Sequence, residues 1–178
     1  MNNRGFTLIE LIAVIAIMGI LMLVSIPNIN SMIDKRKRSA YLQDAKKMVQ
    51  LVEYKFETKV LEVKPSHNYC KVYLLRDLDK TELSSPPNGG TYDLNRSYVV
   101  IEYSNPYYVY NVQLVEKYDV SSGLNKTVTM YRGVKYTDSK NLDNENSKMK
   151  NVTSGLDYNT YQNSFLDVSN HCAVNRRV

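Results

Sequence analysis

The sequence has no tryptophan and only two cysteines, two histidines, five prolines and seven glycines among its 178 residues. The low cysteine count excludes a dense disulfide scaffold. The low glycine and proline content excludes collagen-like and low-complexity proteins. The chain also lacks a P-loop, a dinucleotide fingerprint, an HExxH motif and a GxSxG motif. We therefore expect neither an enzyme nor a bound cofactor.

Charge is almost absent from one long segment near the N-terminus. Between Phe6 and Ile26 the only charged residue is Glu10. The first 64 residues carry 10 Lys and Arg against 6 Asp and Glu, whereas the rest carry 13 against 12. The net charge of +5 therefore comes mainly from Lys35-Arg36-Lys37-Arg38, just beyond the apolar segment. A nucleic-acid-binding domain more often carries its basic residues on its folded face.

The apolar segment is long enough to cross a membrane as a helix. A bilayer core of about 30 Å requires about 20 apolar residues, and Pro27 ends or kinks such a helix. A secretory signal peptide has a shorter apolar stretch and a small-x-small cleavage site, which Ser25-Ile26-Pro27-Asn28 does not provide. We therefore predict a transmembrane helix over residues 6–28.

Glu10 is the unusual residue of this segment. A carboxylate in lipid costs a few kcal/mol even on insertion scales, so a membrane helix retains one where it finds a partner. The alternative is that Glu10, close to the N-terminal end, reaches the lipid headgroups.

The N-terminal sequence Arg4-Gly5-Phe6-Thr7-Leu8-Ile9-Glu10, followed by an apolar helix, resembles that of type IV pilins and pseudopilins. The resemblance covers residues 4–30. It implies that residues 1–5 are a leader, which a membrane prepilin peptidase removes between Gly5 and Phe6, and that the new N-terminus at Phe6 is then methylated. It also implies that Glu10 of one subunit pairs with the Phe6 amine of a neighbour in an apolar filament core, where an unpaired charge is costly.

Two further residues fit the same family pattern. In that family the helix unwinds between the positions of Gly19 and Pro27 when subunits pack into a filament, and glycine and proline are the residues that most weaken a helix locally. The alternative is an incidental glycine and a proline that marks the membrane exit.

The resemblance also implies a location and partners. The precursor would cross the cytoplasmic membrane once, with its head outside, and the assembled filament would lie on the cell surface. The partners would be further copies, other pilins, the peptidase, and an assembly machinery whose ATPase acts in trans. The Lys and Arg distribution alone would place the C-terminal part inside. We follow the resemblance, because a cytoplasmic peptidase site explains the short leader.

An amphipathic helix is predicted to continue over residues 29–64. Its apolar residues recur at spacings of three or four, and Asp44 is among the polar residues between them. Lys64-Pro65 supplies a stop. The apolar stripe consists of Leu42, Ala45, Val49, Val52, Phe56, Val60 and Val63.

The remaining residues, 65–178, are predicted to form a globular β-sheet head. Residues 66–90 read as a connection, similar to that of Gram-positive family members, with a short helical turn at Tyr73-Leu74-Leu75 and Leu78. Strands are predicted at Ser97–Tyr103, Tyr107–Glu116 and Thr127–Tyr136, and short turns between them indicate an antiparallel meander. Residues 137–164 are predicted to form a long, mostly polar surface loop with short strand or turn pieces, after which Leu166, Val168, Ala173 and Val174 return to the sheet. The predicted fold class is α+β, with the long N-terminal helix packed on this sheet, as in pilins.

The two cysteines allow more than one interpretation. A disulfide between Cys70 and Cys172 would tie the C-terminal segment to the start of the head. Family members often fix the C-terminal region in this way, but their cysteines usually bracket only that region. A metal site formed with His67 and His171 is disfavoured, because adjacent His171 and Cys172 point apart in a strand. We predict no metal.

The function that the residues favour is a structural one, as a major or minor pilin. The alternatives are a pseudopilin of a secretion or DNA-uptake system, and a filament-borne adhesin or DNA-binding subunit. A membrane-anchored enzyme is a further alternative. The adhesin hypothesis rests on eight tyrosines of the strand region that could stack on glycans or bases, although tyrosine is also an ordinary core residue of sheets. They are Tyr98, Tyr103, Tyr107, Tyr108, Tyr110, Tyr118, Tyr131 and Tyr136.

Overall fold

The computed structural model describes residues 7–59, 61, 69–78, 83–122, 126–143, 152–156 and 172–174. The chain divides into two compact units, Met1–Arg36 and Lys37–Val178. Leu166, Val168, His67 and His171, as well as much of the predicted loop 137–164, lie outside the described residues.

One long helix, α1, runs from Leu8 to Glu57, which confirms the predicted helix. It ends before the predicted residue 64, because Lys59 adopts a left-handed conformation with φ of 59°. The N–H of Leu61 then reaches back to the carbonyl of Lys55 at 3.0 Å, which satisfies one of the carbonyls that a helix end leaves open.

In the described part of the chain, seven strands form one sheet. Two short 3-10 turns, Leu75–Asp77 and Ser139–Leu142, lie between strands. The strands are β1 Cys70–Leu74, β2 Thr91–Tyr92, β3 Tyr98–Ser104, β4 Tyr107–Ser122, β5 Lys126–Asp138, β6 Val152–Leu156 and β7 Ala173–Val174.

The sheet contains the predicted antiparallel meander. Its strand order is β6-β5-β4-β3-β1-β7, with β2 paired to β4. The neighbours from β3 to β6 are antiparallel, whereas β7 runs parallel to β1. The return of Ala173 and Val174 to the sheet is therefore confirmed. The sequence interpretation did not include strand β1, and Tyr73 and Leu74, predicted as helical, belong to it; the helical turn begins only at Leu75.

The core of the head lies between the second half of α1 and one face of the sheet. From the predicted stripe, Leu42, Ala45, Val49 and Val52 are buried. They pack in one cluster with sheet residues such as Ile101 and Leu114. Val60 and Val63 lie outside the described residues.

The helix buries more than its apolar stripe. Tyr41 and Met48 are fully buried beside it. The interpretation of Asp44 as part of the polar face is wrong, because only 1% of it is exposed. Burial is possible because its carboxylate accepts hydrogen bonds from the Tyr92 hydroxyl at 2.6 Å and from the Ser84 N–H at 3.2 Å. A buried charge is tolerated when such donors replace water.

A second, smaller cluster is formed by alternate residues of β1 and β3. Cys70, Val72, Leu74, Tyr98 and Val100 are buried together, and Tyr136 and Cys172 pack against them. Because successive strand residues point to opposite sides, β1 and β3 bury apolar residues on both sides. Such strands carry little period-two alternation, which is the signal that sequence analysis uses for a half-buried strand.

Candidate functional site

The N-terminal half of α1 carries a wide apolar surface. Every large apolar side chain described between Leu8 and Leu23 is between 44% and 77% exposed in the single chain. A soluble monomer rarely exposes so many apolar residues together, so such a surface indicates contact with other apolar groups. Among the described residues, no helix is both long enough and apolar enough to cross a membrane. The exposed apolar residues of this surface are Leu8, Ile9, Leu11, Ile12, Val14, Ile15, Ile17, Met18, Ile20, Leu21, Met22 and Leu23.

Thr7 and Glu10 form a capping box at the start of this helix. The first helical hydrogen bond runs from the Leu11 N–H to the Thr7 carbonyl at 3.3 Å, so Thr7 is the N-cap. The Glu10 Oε2 atom accepts from both the N–H and the hydroxyl of Thr7, each at 2.8 Å. The Glu10 N–H donates to the Thr7 hydroxyl oxygen at 3.4 Å. This reciprocal pattern satisfies two backbone donors that a helix start leaves open.

The capping box gives Glu10 a defined orientation within its own chain. Both bonds that Glu10 accepts use Oε2, and among the described residues none is made to Oε1. The carboxylate is exposed and lies near the helix N-terminus, where the helix dipole favours negative charge. It can therefore accept a further donor from outside the chain. The spacing T-x-x-E is a known capping signal, so the pair Thr7 and Glu10 is recognisable from the sequence.

The other predicted site residues of this region are placed as follows. Gly5 and Phe6 lie outside the described residues. Gly19 lies within α1, and a Cβ added there would have no atom within 4 Å. Pro27 also lies within α1, where a proline cannot donate the backbone hydrogen bond of the helix.

Residues 1–26 match the family model described as the prokaryotic N-terminal methylation motif. The chain carries the type IV pilin and pseudopilin signature. No curated protein and no solved structure matches the chain. The signature implies a membrane-anchored precursor, other pilins and the prepilin peptidase as partners, and a structural, non-enzymatic protein.

In the head of this pilin-like chain, Glu116 of β4 is the centre of a buried polar cluster. Glu116 is fully buried. Its carboxylate accepts from the N–H groups of Asn88 at 3.1 Å and Gly90 at 2.9 Å, and from the Asn88 side-chain amide at 3.0 Å. The Tyr41 hydroxyl also donates to it. Burial, the bond to Glu116 and its charge raise the pKa of Tyr41. The cluster fastens the turn before β2 to the sheet and to α1.

Cys70 and Cys172 are joined in a disulfide with a Cα–Cα distance of 4.8 Å. The bond lies beside the pairing of β7 with β1, so it holds the C-terminal segment at that edge. Disulfide sulfurs are not the thiolates that bind zinc, which removes the cysteines from the His67 and His171 metal hypothesis. Among the described residues no group of three or more metal-ligating side chains occurs.

The strand tyrosines mostly serve packing. Tyr98 is fully buried, and Tyr108 and Tyr110 pack against the main core. The Phe56 and Tyr108 rings meet edge to face at 4.7 Å. Of the eight tyrosines named above, Tyr107 is the one classed as exposed, at 75%. An exposed row of stacking rings, as single-stranded nucleic acid or glycan binding would use, is therefore not found on the described strands.

Proposed function

We propose that this protein is a structural subunit of a type IV pilus-like filament. It is cleaved after Gly5, methylated at Phe6, held in the cytoplasmic membrane before assembly, and then polymerised through α1. The observation that carries the proposal is the exposed apolar surface from Leu8 to Leu23, which lies within the methylation motif matched at residues 1–26. The assembly ATPase acts in trans.

The arrangement of Glu10 supports its role in assembly. A charge inside an apolar filament must be paired, and cleavage after Gly5 creates an amine on Phe6. Thr7 binds one oxygen of the exposed Glu10 carboxylate at 2.8 Å, and the other oxygen can accept a hydrogen bond from the Phe6 amine of a neighbour. Glu10 thus sets the axial position of one subunit against the next.

A pseudopilin of a secretion or DNA-uptake machine is the second candidate, because the signature is common to both kinds of protein. Imaging of surface filaments in cells with and without the gene separates the two. A pilin is required for long surface filaments, whereas loss of a pseudopilin leaves them in place and blocks secretion or uptake.

The first test is the N-terminus of the protein recovered from membranes and from sheared surface material. We expect the sequence to begin at Phe6, with a mass that shows one added methyl group. Gly5→Val should block cleavage, whereas Asn3→Ala in the same leader should not. An intact Met1 in the assembled protein, or a cut elsewhere in the apolar segment, contradicts the processing step.

The second test is Glu10→Ala. The variant should remain in the membrane fraction, but its amount in filaments should fall at least about tenfold, because an unpaired Phe6 amine in an apolar core costs several kcal/mol. Glu57→Ala is the matched control, since Glu57 is an exposed carboxylate at the other end of the same helix. Normal incorporation of Glu10→Ala contradicts the docking role.

A further inference from the structure

Three chemically complementary side chains meet at the buried polar cluster of the head. Lys37 lies on α1, Asn88 in the turn before β2, and Glu116 on β4. The Lys37 Nζ donates to the Asn88 Oδ1 at 2.8 Å, and the Asn88 Nδ2 donates to the Glu116 Oε2 at 3.0 Å. Two successive hydrogen bonds therefore connect a primary amine, a carboxamide and a carboxylate.

This geometry suits reaction between the amine and the carboxamide. Since a carbonyl bond is about 1.2 Å long, the Lys37 Nζ lies within about 4 Å of the Asn88 carbonyl carbon. A side-chain rotation that closes this gap to about 3–3.5 Å gives a near-attack arrangement. The Glu116 carboxylate is within hydrogen-bonding reach of the leaving nitrogen, as a general acid or base must be.

The surroundings hold the carboxamide in place. Glu116 is fully buried and also binds the backbone N–H groups of Asn88 and Gly90, while the Tyr41 hydroxyl contacts both Glu116 and the Asn88 amide. Donors already fixed around a buried carboxylate strengthen one another and avoid reorganisation during reaction.

We propose that Lys37 and Asn88 become joined by an intramolecular amide bond, with Glu116 as the catalytic residue that moves the protons. The Lys37 ammonium first loses a proton, and its Nζ attacks the Asn88 carbonyl carbon. The bond from that carbon to Nδ2 then breaks. A water molecule carries a proton from Nζ to the Glu116 carboxylate, which passes it to Nδ2, the atom that it contacts. Nδ2 leaves as ammonia and takes up the first proton, which was released to solvent, as ammonium. No oxidant or reductant is needed.

A competing reaction exists at the same asparagine. Asn88 precedes Gly89, and the Gly89 nitrogen could attack the Asn88 side chain to give a cyclic imide with the same loss of ammonia. The Gly89 N–H, however, donates to the Pro86 carbonyl at 3.0 Å, so that nitrogen is already engaged in the turn. The structure therefore favours the Lys37 nitrogen as the nucleophile.

The test is mass spectrometry of the full chain isolated from cells, followed by peptide mapping. We expect the mass of the mature chain to be low by one ammonia molecule, and a branched peptide that contains both Lys37 and Asn88. Lys37→Arg should abolish the branched peptide, because arginine keeps the charge and the donors but does not deprotonate. Lys35→Arg, two residues earlier on α1, is the matched control and should retain it.

Glu116→Gln tests the catalytic residue, since it keeps the size of the side chain and removes the carboxylate. The branched peptide should be lost or formed at least about tenfold more slowly, as expected for removal of a general acid-base. Circular dichroism of Lys37→Arg and Glu116→Gln shows whether each variant folds; Lys37 is only half-buried, so its variant keeps the test valid if Glu116→Gln unfolds.

Three results overturn the proposal. The first is recovery of Lys37 and Asn88 in separate linear peptides from the folded wild-type chain. The second is loss of ammonia with a linear Lys37 peptide and an altered Asn88, which indicates the reaction with Gly89. The third is a branched peptide formed at the wild-type rate in folded Glu116→Gln, which removes Glu116 from the mechanism.

Discussion

The N-terminal half of α1 and the rest of the protein differ in where their apolar and charged side chains find contacts. Between Leu8 and Leu23 the apolar side chains are exposed and the single charge, Glu10, contacts Thr7. In the second unit, Lys37–Val178, which contains the head and the second half of α1, the carboxylates of Asp44 and Glu116 are buried and bound by donors from distant parts of the chain. The apolar surface of the first region needs groups from outside the chain, whereas these two carboxylates of the second region find their donors within it. A substitution should therefore affect assembly in the first region and folding in the second.

The largest expected difference comes from truncating one leucine in each region. Leu114→Ala removes a fully buried side chain of the main core and should lower the free energy of unfolding of the head by about 2–5 kcal/mol. Leu11→Ala removes a side chain that is 59% exposed and should change it by less than about 0.5 kcal/mol.

Denaturant unfolding of the full chain in detergent measures both leucine variants, and filament yield is the second readout. Leu11→Ala should lower the yield although the head is stable. Equal losses of head stability in the two variants would refute the division between the regions.

Alanine substitution at two glycines should change stability by intermediate amounts and in opposite directions. A Cβ at Gly90 would lie 2.1 Å from the Lys117 carbonyl oxygen, so Gly90→Ala should destabilise the head by about 1–3 kcal/mol. At Gly19 a Cβ meets nothing within 4 Å, and alanine should stabilise the helix by up to about 1 kcal/mol.

Thermal unfolding and helix content by circular dichroism measure the two glycine variants. If α1 must unwind near Gly19 in the filament, Gly19→Ala should also reduce filament yield. Normal filament yield from Gly19→Ala argues against unwinding. An unchanged thermal stability of Gly90→Ala argues against the close approach of the Gly90 and Lys117 backbones.

The smallest expected effect is the alkaline pH dependence of the head. Burial, with the nearby Glu53 and Glu57 charges, raises the pKa of Tyr110 to about 12, against about 10 in an unfolded chain. Since the folded state favours the neutral phenol, this contribution is complete below about pH 10 and is lost as the pH rises towards 12. The pKa of Tyr92 is raised in the same direction by burial and by its bond to Asp44.

The free energy of unfolding, followed from pH 9 to pH 12, should therefore fall more steeply in the wild type than in Tyr110→Phe. Tyr107→Phe, at an exposed position, serves as the control and should follow the wild type. A Tyr110→Phe curve that coincides with the wild type would show that this phenol does not contribute.

Local patterns predicted much of the fold, and long-range contacts explain what they missed. The stripe from Leu42 to Val52 predicted the buried helix face because its period is a property of a single segment. Asp44 was assigned to the polar face, since its partner Tyr92 is 48 residues away in the sequence. The short run Cys70–Leu74 carries no alternation that separates a buried strand from a helix, so β1 was missed.

The same distinction applies to the candidate sites. Glu10 was predicted because its charge stands alone in an apolar segment, and its local partner Thr7 follows a recognisable four-residue pattern. Lys37, Asn88 and Glu116 are separated by 51 and 28 residues. No spacing rule connects them, and only the folded chain brings their side chains into contact.

The outer strands of the sheet are short, which limits backbone pairing between heads that lie close together. Among the described strands, the outermost are β6, with five residues, and β7, with only two. Short edge strands give neighbouring chains few unpaired backbone groups to extend. In the filament that we propose, heads held close together therefore gain little by joining into a continuous cross-chain sheet, and the apolar surface of α1 is the main source of attraction between subunits.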